Sequence, residues 1–302
     1  MQRGSLVDWI AVDWGTSRLR AWAMSDGKVH AQAESDDGMR GLTRDRFEPT
    51  LLSLVEPWLT AQSTPVVACG MVGARQGWVE APYQTVPIKP LSATPVPVPQ
   101  GDPRLAAYVI AGLKQTTPPD VMRGEETQIA GFLALNPNWD GVICLPGTHT
   151  KWAQVSAGEV VSFQTCMTGE LFALLSTQSV LSHSIAQKGW DAGKFEDGLA
   201  DALSRPERLA TRLFSVRSRD LLEAAPKEGA RAYLSGLLIG AELAATRAYW
   251  LGQNLAVIGS REVTEHYAQA LSLQGAPAVI ADADRMTLAG LIEAYRSLKE
   301  TV

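Results

Sequence analysis

The residues of this chain best suited to chemistry lie in two short turns. Asp13-Trp14-Gly15-Thr16-Ser17-Arg18-Leu19-Arg20 and Gly147-Thr148-His149-Thr150 each set a glycine beside hydroxyl side chains after an apolar run. A glycine turn between strands lets an anion approach closely and points backbone N–H groups at it. Thr16, Ser17, Thr148 and Thr150 add hydroxyl donors. Two such turns facing each other across a cleft would grip a triphosphate from both sides. Asp13, two residues before Gly15, offers a carboxylate for Mg²⁺, which keeps most of its waters and binds few protein groups beside phosphate oxygens. Arg18 and Arg20 alternate along the following strand and share a face, from which one can reach a transferring phosphoryl group. A solvated strand face would account for the same two arginines.

The elements that position these turns repeat. Trp9 to Ser35 and Gly141 to Cys166 each read as an apolar run, a Gly-Thr pair, an alternating run, a tight turn and a second alternating run. Gly147 follows Gly15 by 132 residues, and Gly158 follows Asp26 by the same distance. Period-two runs bounded by glycine predict strands joined by hairpins, three antiparallel strands per unit. Helical periodicity follows over 47–61, 124–135, 169–185, 195–223 and 228–251. A strand is then predicted at 255–258, a helix at 262–273, a strand at 278–281 and a helix at 284–299. Seven prolines between Pro82 and Pro103 exclude a helix there and predict an extended excursion. The expectation is a two-domain α/β protein, 1–137 and 138–302, with an interdomain cleft and the last helix packing back near the interface.

Composition narrows the class further. With 302 residues, 46% hydrophobic and 20% charged, the chain can bury a substantial core. A net charge of −5 speaks against a general nucleic-acid or anionic-membrane binder. No apolar run approaches the roughly 18 residues of a membrane helix, and no signal peptide is visible, so a cytoplasmic protein is expected. Cys69, Cys144 and Cys166 match neither a disulfide framework nor a zinc pattern and are expected as buried packing residues.

Asp13 to Arg20 resembles the first phosphate loop of the sugar-kinase, hexokinase, actin and Hsp70 superfold, a ribonuclease H-like, actin-like ATPase fold. Gly147 to Thr150 resembles its second phosphate loop, and Val257-Ile258-Gly259-Ser260 its adenosine motif. The stretches 68–83, 121–131, 145–152, 167–172 and 234–242 are similar to the 2-dehydro-3-deoxygalactonokinase family, in order from end to end. The resemblance implies ATP-dependent phosphorylation, with Mg²⁺, of the terminal hydroxyl of 2-dehydro-3-deoxy-D-galactonate in galactonate catabolism, with ATP and sugar acid meeting in the cleft. It implies nucleotide contacts from Gly15, Thr16, Ser17, Gly147, Thr148, His149, Gly259 and Ser260, and metal binding at Asp13.

Many sugar kinases of the superfold use an aspartate base in the second domain; none has a secure counterpart in this sequence. Glu125 and Glu126 are the candidates instead, opening a helix where its dipole favours an ionised carboxylate able to accept a hydroxyl proton. Glutamates in a first turn are also ordinary helix-end chemistry. Arg20 completes the catalytic set. A sugar acid requires a cation, for which Arg18, Arg75, Arg123 and Lys151 are candidates, each also explicable as a surface ion pair. Arginine would grip a carboxylate by two parallel bonds and Lys151 would act as a point charge. His149 is a phosphate donor or a structural turn residue, and Glu170 a partner for sugar hydroxyls or a first-turn residue. Trp14 and Trp152 are expected to pack in the cleft wall. Two alternatives stand beside the kinase: an exopolyphosphatase-like phosphohydrolase, motivated by Gly124-Glu125-Glu126, and a non-catalytic, ATP-gated actin-like module. Oligomeric state is left open.

Overall fold

The computed structural model describes residues 7–99 and 101–301. They form two compact units, Met1–Trp139 with Val155–Ser162 and Ala283–Val302, and Asp140–Gln154 with Phe163–Asp282. The division after Trp139 differs from the expected one chiefly in its last segment: the C-terminal helix belongs to the first unit.

The first unit contains β1 (Trp9–Trp14), β2 (Leu19–Ser25), β3 (Lys28–Ser35), α1 (Phe47–Val55), β4 (Thr64–Gly70), β5 (Gln84–Thr85), β6 (Val96–Pro97), β7 (Leu105–Val109), β8 (Leu113–Thr116), β9 (Pro119–Met122) and α2 (Glu125–Leu135). Its main sheet has the order β3-β2-β1-β4-β7-β6. β1 runs antiparallel to β2 and parallel to β4, and β4 parallel to β7. Parallel strands covered on both faces read as continuous apolar runs, and β1 is buried throughout except at Asp13. The core gathers around Trp14, whose ring meets Phe47 at 5.0 Å and Trp78 at 6.2 Å. The proline-rich segment contributes only the two-residue strands β5 and β6.

The second unit contains β10 (Gly141–Leu145), β11 (Thr150–Ser156), β12 (Glu159–Cys166), α3 (Thr168–Thr177), α4 (Ala192–Ser204), α5 (Leu209–Glu223), α6 (Lys227–Ala245), α7 (Arg247–Trp250), β13 (Leu255–Gly259), α8 (Arg261–Ser272) and β14 (Ala278–Asp282). Its sheet has the order β12-β11-β10-β13-β14, with β10, β13 and β14 parallel. α6 lies tightly on α4 because Gly236 carries no side chain: a Cβ there would stand 2.1 Å from the carbonyl oxygen of Phe195. The final helix, α9 (Ala283–Thr301), packs on α2 through a similar close approach of Gly131 and Gly290.

The order β3-β2-β1-β4-β7 in one sheet is the order β12-β11-β10-β13-β14 in the other. The predicted repeat is therefore present in the fold, with its spacing corrected. β2 and β11 have seven residues each and β3 and β12 eight each, and both pairs lie 131 residues apart. The turns agree, with left-handed φ of 51° and 52° at Asp26 and Ala157, and of 71° and 77° at Gly27 and Gly158. The Gly-Thr pairs, 132 apart, are thus one residue out of step within otherwise equivalent hairpins.

Trp14 and Trp152 are fully buried core residues rather than cleft-wall residues. Cys69 and Cys144 are buried as expected, whereas Cys166 is half-buried. Among the described residues no helix is long and apolar enough to cross a membrane.

Candidate active site

In the first unit the sheet register builds the site. Asp13, next to last in β1, has Arg20 opposite it on β2 and Cys69 beside it on β4. Arg20 Nη2 donates to Asp13 Oδ2 at 2.5 Å, and Nη1 donates to Asp284 at the start of α9. Burial opposes the guanidinium charge, but the two carboxylates outweigh it and raise the pKa further. Arg20 therefore buttresses Asp13 between two anions. Arg18 does not share its strand face: it lies in the turn, where its carbonyl accepts the Gly15 N–H at 2.9 Å. That turn is held from behind by Met39 and Arg40, whose amides donate to the carbonyls of Gly15 and Thr16 at 3.0 Å each. Gly38 allows this, since a Cβ there would stand 2.4 Å from the Ser17 backbone. The face of Thr16, Ser17 and Arg18 is exposed, and among the described residues no backbone acceptor engages the Thr16 or Ser17 amide.

The two glutamates divide sharply. Gly124, at φ 109°, turns the chain into α2 close to Gly70 at the end of β4. Glu126 is fully buried and folds back so that its oxygens accept the Gly124 N–H at 2.7 and 2.9 Å. Burial, and then the charge of Glu125, push its carboxyl up to about 8 against the opposing pull of the backbone donors. Glu126 is thus a closed, largely protonated group at neutral pH. Glu125 is half-buried, with Oε2 accepting the Arg123 N–H at 3.0 Å. The Cys69 thiol is driven well up by burial and by Asp13 and Glu126, so it is no nucleophile.

Of the four candidate cations, Arg18 and Arg75 are exposed, and Arg123 and Lys151 are buried. Arg123 donates from Nη2 to the Ala81 carbonyl at 2.7 Å and lies 4.3 Å over the Tyr83 ring. It stitches the 71–83 loop to the start of α2 while its Nε and Nη1 remain buried without a partner. Arg75 sits in that loop, which Arg44 fastens through the carbonyls of Arg75 and Gly77. Lys151 is enclosed within β11.

In the second unit the turn Gly147-Thr148-His149 is exposed and seated on the start of α3. Gly169 permits that seat, since a Cβ there would meet the Gly147 carbonyl at 2.1 Å. The Glu170 N–H donates to the Thr148 carbonyl at 2.9 Å, and its carboxylate lies 2.7 Å from His149 Nε2. Glu170 and His149 therefore engage each other. The turn opens onto a cavity of about 370 Å³ walled by α3, α6 and α8. Trp190 and His266 stack in its wall with ring centroids 3.8 Å apart, and Arg231 lies 4.9 Å over the Phe172 ring. Gly259 and Ser260 join β13 to α8, Gly259 beside Pro146 of the turn, and the cavity wall begins two residues later at Glu262.

Sequence reasoning missed Asp284, Trp190, His266 and Arg231. Asp284 had a readable signal, an acidic residue just past a strand end as Asp13 is at its own. The cavity residues come from three separate segments and carry no spacing that joins them.

The two units thus share one strand order, with a glycine turn in the first hairpin of each. Comparison with known proteins defines the family. A family model described as 2-keto-3-deoxy-galactonokinase matches residues 13–294, and the chain belongs to this family. It is 35% identical over 286 residues to a 2-dehydro-3-deoxygalactonokinase of Escherichia coli (strain K12), covering 94% of this chain and 96% of that one. A Rhizobium meliloti (strain 1021) protein bearing the name probable 2-dehydro-3-deoxygalactonokinase is 36% identical over 297 residues, covering 95% and 96%. A Sinorhizobium meliloti crystal structure, described as that of a putative 2-dehydro-3-deoxygalactonokinase, matches with a TM-score of 0.88 at 36% identity, covering 96% of each chain.

Proposed function

We propose that this protein is a cytoplasmic kinase that transfers the γ-phosphoryl group of ATP to the terminal 6-hydroxyl of 2-dehydro-3-deoxy-D-galactonate, giving the 6-phosphate in galactonate catabolism. The observation that carries the reading is the family match from residue 13 to 294, which spans both turns and the start of α2.

The nucleoside of ATP occupies the 370 Å³ cavity of the second unit, large enough for a ligand of that kind and lined by the rings of Phe172, Trp190 and His266 together with Arg231, Ser235 and Glu262. Gly147, Thr148 and His149 contact its phosphates there, and Gly259 and Ser260 support the turn. Thr16 and Ser17 of the first unit offer exposed amides and hydroxyls to phosphate, and Gly15, its own amide held by the Arg18 carbonyl, lets an anion approach closely. Asp13 suits Mg²⁺: it is a single half-buried carboxylate, and Mg²⁺ takes one or two carboxylates and completes its shell with phosphate and water. When bound, the ion neutralises charge on the phosphates. Arg20 fixes the Asp13 carboxylate in place.

Glu125 accepts the proton of the sugar hydroxyl, because it is half-exposed while Glu126 is enclosed and protonated. Glu126 instead fixes Gly124 and the path into α2. Arg75, exposed on a loop that Arg44 and Arg123 hold down, meets the substrate carboxylate, with Arg18 oriented toward phosphate. Lys151 and Glu170 act by supporting the second turn.

ADP release measured with 2-dehydro-3-deoxygalactonate, its gluconate-derived epimer and polyphosphate in parallel tests this reading. Sugar-dependent ADP release, fastest with the galactonate-derived acid, is expected. A rate no higher than that without sugar would overturn it.

A further inference from the structure

The second unit buries a carboxylate that the transfer chemistry does not use. Glu242, in the last turn of α6, is 4% exposed. Trp152 Nε1 on β11 donates to its Oε1 at 2.8 Å. On its other oxygen it accepts the Tyr267 hydroxyl of α8 at 2.9 Å and the hydroxyl of Thr168, the first residue of α3. Thr150 extends the network, its hydroxyl lying 3.0 Å from that of Tyr267. All four partners are neutral. Burial raises the carboxyl pKa, and the hydrogen bonds oppose that rise.

The partners matter more than the burial. Thr150 and Trp152 open the strand that leaves the Gly147-Thr148-His149 turn. Thr168 precedes Gly169, against which that turn is seated. Thr168 and Tyr267 both line the 370 Å³ cavity. One side chain thus joins the strand behind the turn, the helix start beneath it and the helix forming the far wall. A hydrophobic residue of similar length would fill the same volume and hold none of them. Trp152 Nε1 and the Thr168 hydroxyl would then lose this acceptor and Tyr267 would keep only Thr150, so the ties between the three elements would loosen.

We propose that Glu242 is a positioning residue for nucleotide binding: it ties β11, α3 and α8 together and so sets the shape of the nucleoside cavity and the seat of the second turn. The proposal rests on the reading of that cavity as the ATP site. The Glu242 partners Thr168 and Tyr267 line that cavity, so its effect belongs in nucleotide affinity.

Glutamine can replace the frame in part. Its Oε1 can accept from Trp152, while the Thr168 and Tyr267 hydroxyls, able to accept as well as donate, rotate to meet its amide. Methionine cannot. The test is the Kd of Mg-ATP by calorimetry, with Tm and the KM values of ATP and sugar acid, for wild type, Glu242→Gln, Glu242→Met and the control Leu199→Ala. Leu199 is buried in the same unit's core but does not line the cavity. The expected order of ATP affinity is wild type, then Gln weaker by a few-fold, then Met weaker by roughly tenfold or more. The sugar-acid KM should stay within about twofold throughout, and Leu199→Ala should lower Tm with wild-type ATP affinity. If the Met variant does not fold, the Gln variant alone decides, since a structural role would leave its Kd unchanged. Wild-type Kd in Gln and Met alongside a lowered Tm would overturn the proposal. Failure of the wild type to bind Mg-ATP would instead remove the ATP-site reading, and the proposal with it.

Discussion

Glu126→Gln separates the two adjacent glutamates most clearly. The wild-type carboxyl is fully buried and held near 8, against about 4.5 in the unfolded chain. A carboxyl with a raised folded-state pKa favours the folded protein fully below the unfolded value and loses that contribution as pH rises through the folded one. At 1.36 kcal/mol per pKa unit, wild type should lose about 4 kcal/mol of stability from this group between pH 5 and pH 9. Glutamine keeps an oxygen for the Gly124 N–H, matches the volume and does not ionise. Urea unfolding of both proteins across that range should therefore give similar stability at pH 5 and a variant more stable by about 4 kcal/mol at pH 9. At pH 7 the variant should retain most of its turnover, because Glu126 is enclosed and the proposed proton acceptor is Glu125. Parallel pH–stability curves would refute the assignment of Glu126 as a buried, protonated group. Loss of turnover on the scale of Glu125→Gln would refute its exclusion from proton transfer.

Other substitutions test the remaining parts. Asp13→Ala should abolish Mg-ATP turnover with a native circular-dichroism spectrum, since Arg20 retains Asp284 as partner. Glu125→Gln should lower kcat by roughly 10²-fold or more with little change in either KM, as removal of a general base does. Arg75→Met should raise the sugar-acid KM at unchanged Tm, whereas Arg123→Met should lower Tm by unfastening the Ala81 carbonyl and the Tyr83 ring. Gly169→Ala should raise the ATP KM, because its methyl would push the Gly147 carbonyl out of its seat.

Legibility in the sequence followed the range of the interaction. Many strands and helices were readable because period-two and period-3.6 patterns are local, and β10 and β13 carry unbroken apolar runs. The hairpin repeat was readable for the same reason, although the Gly-Thr pairs suggested a spacing one residue longer than the strands have. Roles set by tertiary pairing were not readable. Arg20 looked like a hand for phosphate until the register put Asp13 opposite it, and Arg123 and Lys151, candidates for the substrate carboxylate, could not be read as buried until packing enclosed them. Glu125 and Glu126 are neighbours of one type, yet successive residues on a helix start face different surroundings, and only the fold says which is buried. Asp284, distant in sequence from Asp13, could be joined to it only through α9.

The central claim is that a phosphoryl group passes from ATP to the terminal carbon's oxygen of the sugar acid. Phosphorus NMR of the reaction with 2-dehydro-3-deoxygalactonate tests it directly. The account predicts one new phosphomonoester resonance, coupled to the two protons of C6 and growing in step with ADP. Inorganic phosphate as the only new species, or a phosphoester on another carbon, would contradict it.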